Sequence, residues 1–198
     1  MNKPRNRQLK PAKNATGHIR IIAGKWRGRK LPVHDIQGLR PTTDRVKETL
    51  FNWLMNDIHA TNCLDCFAGA GALGFEALSR GAAHATFIEK DQQAAKQLQA
   101  NKTLLQADNA TIIHGDCLTT LPTFNQPFDL IFIDPPFRQQ LAAQTIQLLE
   151  SNQLLAPGAL IYLETENELG EITLPSHWTL HKQKTAGQVS YSLYHVNK

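Results

Sequence analysis

Nowhere do apolar side chains run for the ~18 positions that a membrane span requires. Cysteine is scarce: Cys63, Cys66 and Cys117 cannot all pair with one another. A disulfide-stapled secreted fold is thereby excluded, and reduced thiols in a cytoplasmic protein are expected. The basic start carries no apolar core of a secretory signal, which fits the same location. Glycine and proline, at 12 and 10 residues, fall well short of the ~25–30% that marks low-complexity chains. What the first forty residues lack is acid. They hold Asp35 alone against eleven Lys and Arg, whereas the other 158 residues carry ten basic and sixteen acidic groups. A front end of net +10 is joined to a body of net −6. A polyanion is the expected partner for such a front.

The 198 residues suffice for one domain with an appendage. Residues 1–17 are polar and aperiodic, the pattern of a flexible basic arm. Residues 18–40 read as a β-hairpin extension, with strands at 18–23 and 25–31 flanking Gly24. Arg20, Lys25, Arg27, Arg29 and Lys30 on it are the candidate nucleic-acid contacts. Trp26 is expected to pack on the body. Thr42 or Thr43 is placed to cap a helix carrying Val46, Leu50, Trp53, Leu54 and Ile58.

From residue 62 apolar runs at 62–67, 85–89, 110–114, 128–133 and 159–163 alternate with helical patterns, clearest at 91–106 and 139–150. That alternation predicts a doubly wound α/β fold with a mostly parallel sheet. Trp178–Gln183 and Val189–His195 flank a short turn with no helix between, which predicts a terminal antiparallel hairpin.

The first of these strands leads into Asp65-Cys66-Phe67-Ala68-Gly69-Ala70-Gly71-Ala72-Leu73-Gly74. Gly69, Gly71 and Gly74 match the dinucleotide fingerprint, and Glu89 follows at the end of the second strand. An NAD oxidoreductase is one reading. Asp65 argues against it, because a carboxylate there repels a pyrophosphate but attracts an amino group or sulfonium. Glu89 is placed to accept from two ribose hydroxyls. Asp116 is either an acceptor for an adenine amine or an N-cap.

A fourth strand delivers Asp134-Pro135-Pro136-Phe137 to the carboxyl edge, the ligand side of open α/β sheets. Asp134 and the carbonyl of Pro135 together match the two N–H donors of an exocyclic base amine. Phe137 is suited to stacking on the base plane. Cys63-x-x-Cys66 has metal-ligand spacing, but positions i and i+3 of a strand face opposite sides, so no metal is expected. A non-enzymatic RNA-binding module using the basic front alone is a further alternative.

Asp134-Pro135-Pro136-Phe137 together with Asp65, Gly69 and Gly71 resembles the class I S-adenosylmethionine-dependent amino-methyltransferases. The blocks Arg40–Leu54 and Ile19–Leu31 are similar to the RsmD-type bacterial ribosomal RNA methyltransferases. That resemblance covers nearly everything from 17 to 195. It implies a seven-stranded Rossmann-like sheet over 41–198, and S-adenosylmethionine held by Asp65, Phe67, Ala68, Gly69, Gly71, Glu89, Asp116 and Cys117. It also implies methylation of the N2 amine of one guanine, position 966, in 16S ribosomal RNA of the small subunit. Ribosomal RNA or an assembling small subunit is the expected partner, and a monomer is expected. Adenine N6 and protein glutamine are acceptors that share the four-residue motif, and they remain alternatives.

Overall fold

The computed structural model describes residues 17–33, 44–137, 139–167 and 172–197. The expected arm, the Thr42 or Thr43 cap and the start of the Arg40–Leu54 block lie outside the described residues. Strands β3 (Asn62–Asp65), β4 (His84–Glu89), β5 (Ala110–His114), β6 (Phe128–Ile133), β7 (Leu155–Glu166), β8 (Trp178–Ala186) and β9 (Val189–Val196) form one sheet, ordered β5-β4-β3-β6-β7-β9-β8. β3 to β7 pair in parallel. β9 runs antiparallel to β7 and to β8, closing the sheet with the expected hairpin.

Two cores cover the two faces of the sheet. Beneath α1 (Asp44–Trp53), α2 (Ala72–Ser79) and α3 (Gln92–Leu105), Leu50, Phe51, Phe75, Phe87, Leu98 and Phe132 pack together. Beneath α4 (Cys117–Thr120) and α5 (Leu141–Ser151), Leu64, Ile88, Ile131, Ile146, Leu149 and Ile161 form the other. Such two-sided burial is what the continuous apolar runs required. Cys63 falls in the first core and Cys66 in the second, so the pair is split across the sheet. No helix of the described residues is long and apolar enough to cross a membrane.

The N-terminal hairpin is shorter than its sequence pattern. β1 (Gly17–Arg20) and β2 (Lys30–Val33) pair antiparallel over four residues, with Arg20 opposite Lys30. The reason is a tertiary competitor for the backbone. Glu76, buried on α2, accepts from Ile22 N at 2.8 Å and Ala23 N at 3.0 Å, so these amides leave the ladder. The same carboxylate receives Arg80 Nε at 2.7 Å. Ser79 completes the latch: its carbonyl accepts from Lys25 N at 2.7 Å, and its hydroxyl donates to Ala23 O at 2.6 Å. Gly24 lies so close to Ser79 that a Cβ would sit 1.8 Å from the Ser79 carbonyl oxygen. Ile19, Ile21, Trp26 and Leu31 join the first core, so the hairpin is packed onto the body.

Candidate active site

The glycine segment turns sharply between β3 and α2. Gly71 adopts φ 80° as the N-cap of α2, where a Cβ would meet Leu98 Cδ2 at 2.6 Å and Phe75 Cδ2 at 2.7 Å. A Cβ on Gly74 would strike Phe87 Cε1 at 2.3 Å, so the third glycine seats the helix on the sheet. Asp65 at the end of β3 is buried and accepts from Gly74 N at 3.2 Å. Burial raises its carboxyl from 3.8 to about 7, and the nearby Glu89 charge adds to the rise. This carboxylate gains most from a cationic neighbour.

Glu89, ending β4, is held by two amides. Its Oε2 accepts from Gly69 N at 2.7 Å and its Oε1 from Asp91 N at 2.7 Å. An ionised carboxylate offers about four lone-pair sites. The amides thus orient Glu89 while leaving it acceptor capacity for two vicinal hydroxyls. Asp116 caps α4 through Leu118 N at 2.9 Å, and its other oxygen meets Lys90 Nζ at 2.9 Å. The Lys90 hydrogen bond holds its carboxyl below the usual range. Capping is therefore the role its geometry displays, on the rim of the site.

These groups line one cleft of about 330 Å³ at the carboxyl edge of the sheet, within the range of small-ligand sites. The cleft collects Asp65, Phe67, Ala68, Gly69, Glu89, Asp116 and Cys117, and on its far side Asp134, Pro135, Pro136 and Phe137. Gly71 is not on the lining; it serves the turn beneath it. Phe137 stands 40% exposed at the mouth, a geometry suited to a stacking partner that arrives from outside. Cys66, just after β3, also lines the cleft, but burial raises its thiol well above the ordinary range, with Cys117 adding. That chemistry does not make a nucleophile.

Charge decides between ligands. Among the described residues the cleft is lined by five carboxylates, on Asp65, Glu89, Asp116, Asp134 and Glu164, and by one cation, Lys90, which is paired with Asp116. Among the described residues a pyrophosphate finds no unpaired cation beside the glycine turn, and the Asp65 carboxyl repels it, which weighs against the NAD reading. A cationic, hydroxyl-bearing ligand fits.

The lining also holds residues that the sequence pattern did not single out, Leu118 of α4 and Leu141 of α5 among them. Val46 comes from α1, Glu164 from the end of β7, and Ala186 with Val189 from the terminal hairpin. Glu164 carries a signal like that of Asp134, an acid that follows an apolar run onto the same edge. Val46 and the hairpin residues carry none, because only the folded topology brings them here.

The candidate nucleic-acid contacts lie away from the cleft. Arg20, Lys25, Arg27, Arg29 and Lys30 are exposed. Lys25 Nζ sits 4.1 Å from the centroid of the Trp26 ring, and Trp26 is buried as expected. Arg29 Nη1 donates to Leu104 O at 3.2 Å, satisfying a carbonyl at the end of α3.

Comparison with known proteins places these features in context. A protein-family model described as Conserved hypothetical protein 95 matches residues 19–195. The "Ribosomal RNA small subunit methyltransferase D" of Escherichia coli (strain K12) is 55% identical over 185 residues, 93% of each chain. Its namesake from Haemophilus influenzae is 57% identical, covering 91% of this chain and 95% of that protein. The solved structure of Escherichia coli yhhF matches with a TM-score of 0.86 and 53% identity, over 91% of this chain and 99% of that one.

Proposed function

As the chain belongs to the Conserved hypothetical protein 95 family, alongside ribosomal RNA small subunit methyltransferases, we propose that it methylates the exocyclic N2 amine of one guanine in 16S ribosomal RNA, position 966 by the family resemblance. S-adenosylmethionine is the cofactor, and it supplies an electrophilic methyl group on a cationic sulfur. The observation that carries the reading is Asp134-Pro135-Pro136-Phe137 at the mouth of a cleft whose floor is the buried carboxylate of Asp65.

Asp65 would offer its charge to the cationic end of the cofactor, Glu89 would receive the ribose hydroxyls, and the turn from Phe67 to Gly69 would line the space between. Asp116, through its cap of α4, and Cys117 would bound the adenine side. Guanine N2 is a poor nucleophile, since its lone pair is delocalised into the ring. Asp134 and the carbonyl of Pro135 accept its two N–H groups, aim the lone pair into the cleft, and stabilise positive charge as it develops on nitrogen. As N2 takes the methyl carbon, the bond from that carbon to sulfur would break, leaving a neutral thioether, and the surplus N2 proton would pass along its hydrogen bond to Asp134. Both prolines restrict φ and supply no competing N–H, so this edge presents acceptors. Phe137 stacks on the base, worth about 1–3 kcal/mol. Holding the reacting atoms ~3–3.5 Å apart supplies several kcal/mol more.

The RNA is gathered by the exposed cations of the hairpin, Arg20, Lys25, Arg27, Arg29 and Lys30, and a monomer carries both parts. Labelled S-adenosylmethionine is incubated with the protein and either naked 16S RNA or assembling small-subunit particles, and the modified nucleoside is then identified. The expected product is 2-methylguanosine. Label in N6-methyladenosine or in protein overturns the acceptor, and RNA binding with no transfer of label leaves the binding-module alternative.

A further inference from the structure

We infer that Glu164 reads the N1–H of the acceptor guanine, acting as a second carboxylate beside Asp134 that selects guanine from the other amino-bearing bases. The inference rests on guanine N2 being the methyl acceptor.

Three observations meet at this residue. The parallel register of β6 and β7 pairs Ile133 with Leu163, so Asp134 and Glu164 are the next residues along adjacent strands at the carboxyl edge. A cavity of about 270 Å³ adjoins the main cleft, and the two share Pro135, Pro136, Phe137 and Leu141. Glu164 is the acidic residue that lines both. Finally, its carboxylate is oriented from below: Tyr162 donates its hydroxyl to Glu164 Oε2 at 2.7 Å. Tyr162 is itself buried between Phe132 and Tyr191, each 6.4 Å away between ring centroids, and Trp53 stacks on Tyr191 at 5.5 Å. A tyrosine so packed has little freedom to let the carboxylate wander.

The Watson–Crick edge of guanine carries N1–H immediately beside the N2 amine. With the N2 hydrogens on Asp134 and Pro135, the next donor along the edge is N1–H, and the next acceptor along the sheet is Glu164. Adenine and cytosine present a ring-nitrogen lone pair beside their amines instead. A fixed carboxylate facing that lone pair is repulsive, so one residue both attracts guanine and rejects its competitors.

The test replaces the target guanine with 2-aminopurine, which keeps the 2-amino group but has an unprotonated N1. Wild-type enzyme is expected to show kcat/KM about tenfold or more lower on 2-aminopurine RNA than on guanine RNA. In Glu164→Gln the amide N–H can donate to that nitrogen. The ratio should then fall to within about threefold or invert, with S-adenosylmethionine affinity by calorimetry changing by the same factor on both RNAs, if at all. Tyr162→Phe, a positioning change, should narrow the ratio in the same direction. A merely structural carboxylate would lower both rates equally and leave the ratio alone, so a wild-type ratio in Glu164→Gln overturns the inference. Equal rates on the two RNAs with the wild-type enzyme overturn it without any variant. If guanine RNA itself yields no 2-methylguanosine, the acceptor assignment has failed instead, and the two failures are distinguishable.

Discussion

Gly69 donates its backbone N–H to Glu89 at 2.7 Å, tying the glycine turn after β3 to the end of β4. One carboxylate thus shapes the turn and faces the cleft. Glu89→Ala should therefore loosen the turn and remove the hydroxyl acceptor together. S-adenosylmethionine affinity is expected to fall at least tenfold, about 1.4 kcal/mol, by calorimetry. In the wild type, a hundredfold excess of the cofactor over Kd should stabilise the fold by ~2.7 kcal/mol in thermal unfolding, and NAD should not. Stabilisation by NAD alone would reverse the charge argument.

Asp134→Ala separates chemistry from cofactor binding. Methyl transfer should drop by orders of magnitude while S-adenosylmethionine affinity stays within a few-fold, because the proposed partner of Asp134 is the base amine. Asp134→Asn should be milder, since an amide oxygen still accepts one hydrogen bond but stabilises cationic charge poorly. Equal loss of cofactor binding in Asp134→Ala would move this residue out of the acceptor site.

The raised Asp65 carboxyl gives the free protein a pH signature. Its folded value, about 7, exceeds the ordinary 3.8, so between those values the native state binds the extra proton. Stability falls as pH rises through this window and levels off above it, by an amount on the order of a few kcal/mol. Asp65→Asn should flatten that slope in thermal unfolding between pH 4 and about 8. A cationic ligand favours the anion, so binding to the wild type at about pH 6.5 should release a proton, seen as a buffer-dependent heat in calorimetry. No release, with an unchanged slope in Asp65→Asn, would remove Asp65 from contact with charge.

Glu76 is the latch of the hairpin. Glu76→Ala strands two amides and the Arg80 guanidinium, and about 3–5 kcal/mol of stability is expected to go with them in denaturant unfolding. Protease should then cut near Gly24 faster than in the wild type.

Neutralising Arg20, Lys25 and Arg27 together should weaken RNA binding and flatten the dependence of log K on log[salt] by up to about two to three units. Arg29 is best left in place, because it also serves the α3 carbonyl of Leu104. An unchanged salt slope in the triple variant would place the RNA path elsewhere.

The central parallel strands β3, β4 and β6 were legible because they are buried on both faces and read as apolar runs, whereas the edge strand β5 is only partly buried. Asp65, Glu89 and Asp134 were legible because acids at the ends of such runs land on one edge. The reach of the N-terminal strands was not legible. Alternation in 18–23 and 25–31 looked like a longer hairpin, and only Glu76, more than fifty residues away, diverts the amides of Ile22 and Ala23. Asp116 sat before a helix too short to show periodicity, so capping and ligand binding looked alike in the sequence. Val46 reached the cleft through the packing of α1, which no local pattern encodes.

The way the hairpin is fastened sets a length scale. Its tip is bound at Ser79, the last residue of α2, while the first residues of that helix border the glycine turn. Arg29 lies at the Leu104 end of α3, whose opposite end begins just past Glu89. Fourteen helical residues span about 21 Å, so Arg29 and the Glu89 end of the cleft stand about one helix length apart. At ~3.4 Å per stacked nucleotide, a stacked RNA strand that touched both would cover about six nucleotides. On the proposed RNA path, stacked fragments shorter than this are expected to engage the cleft or Arg29 but not both.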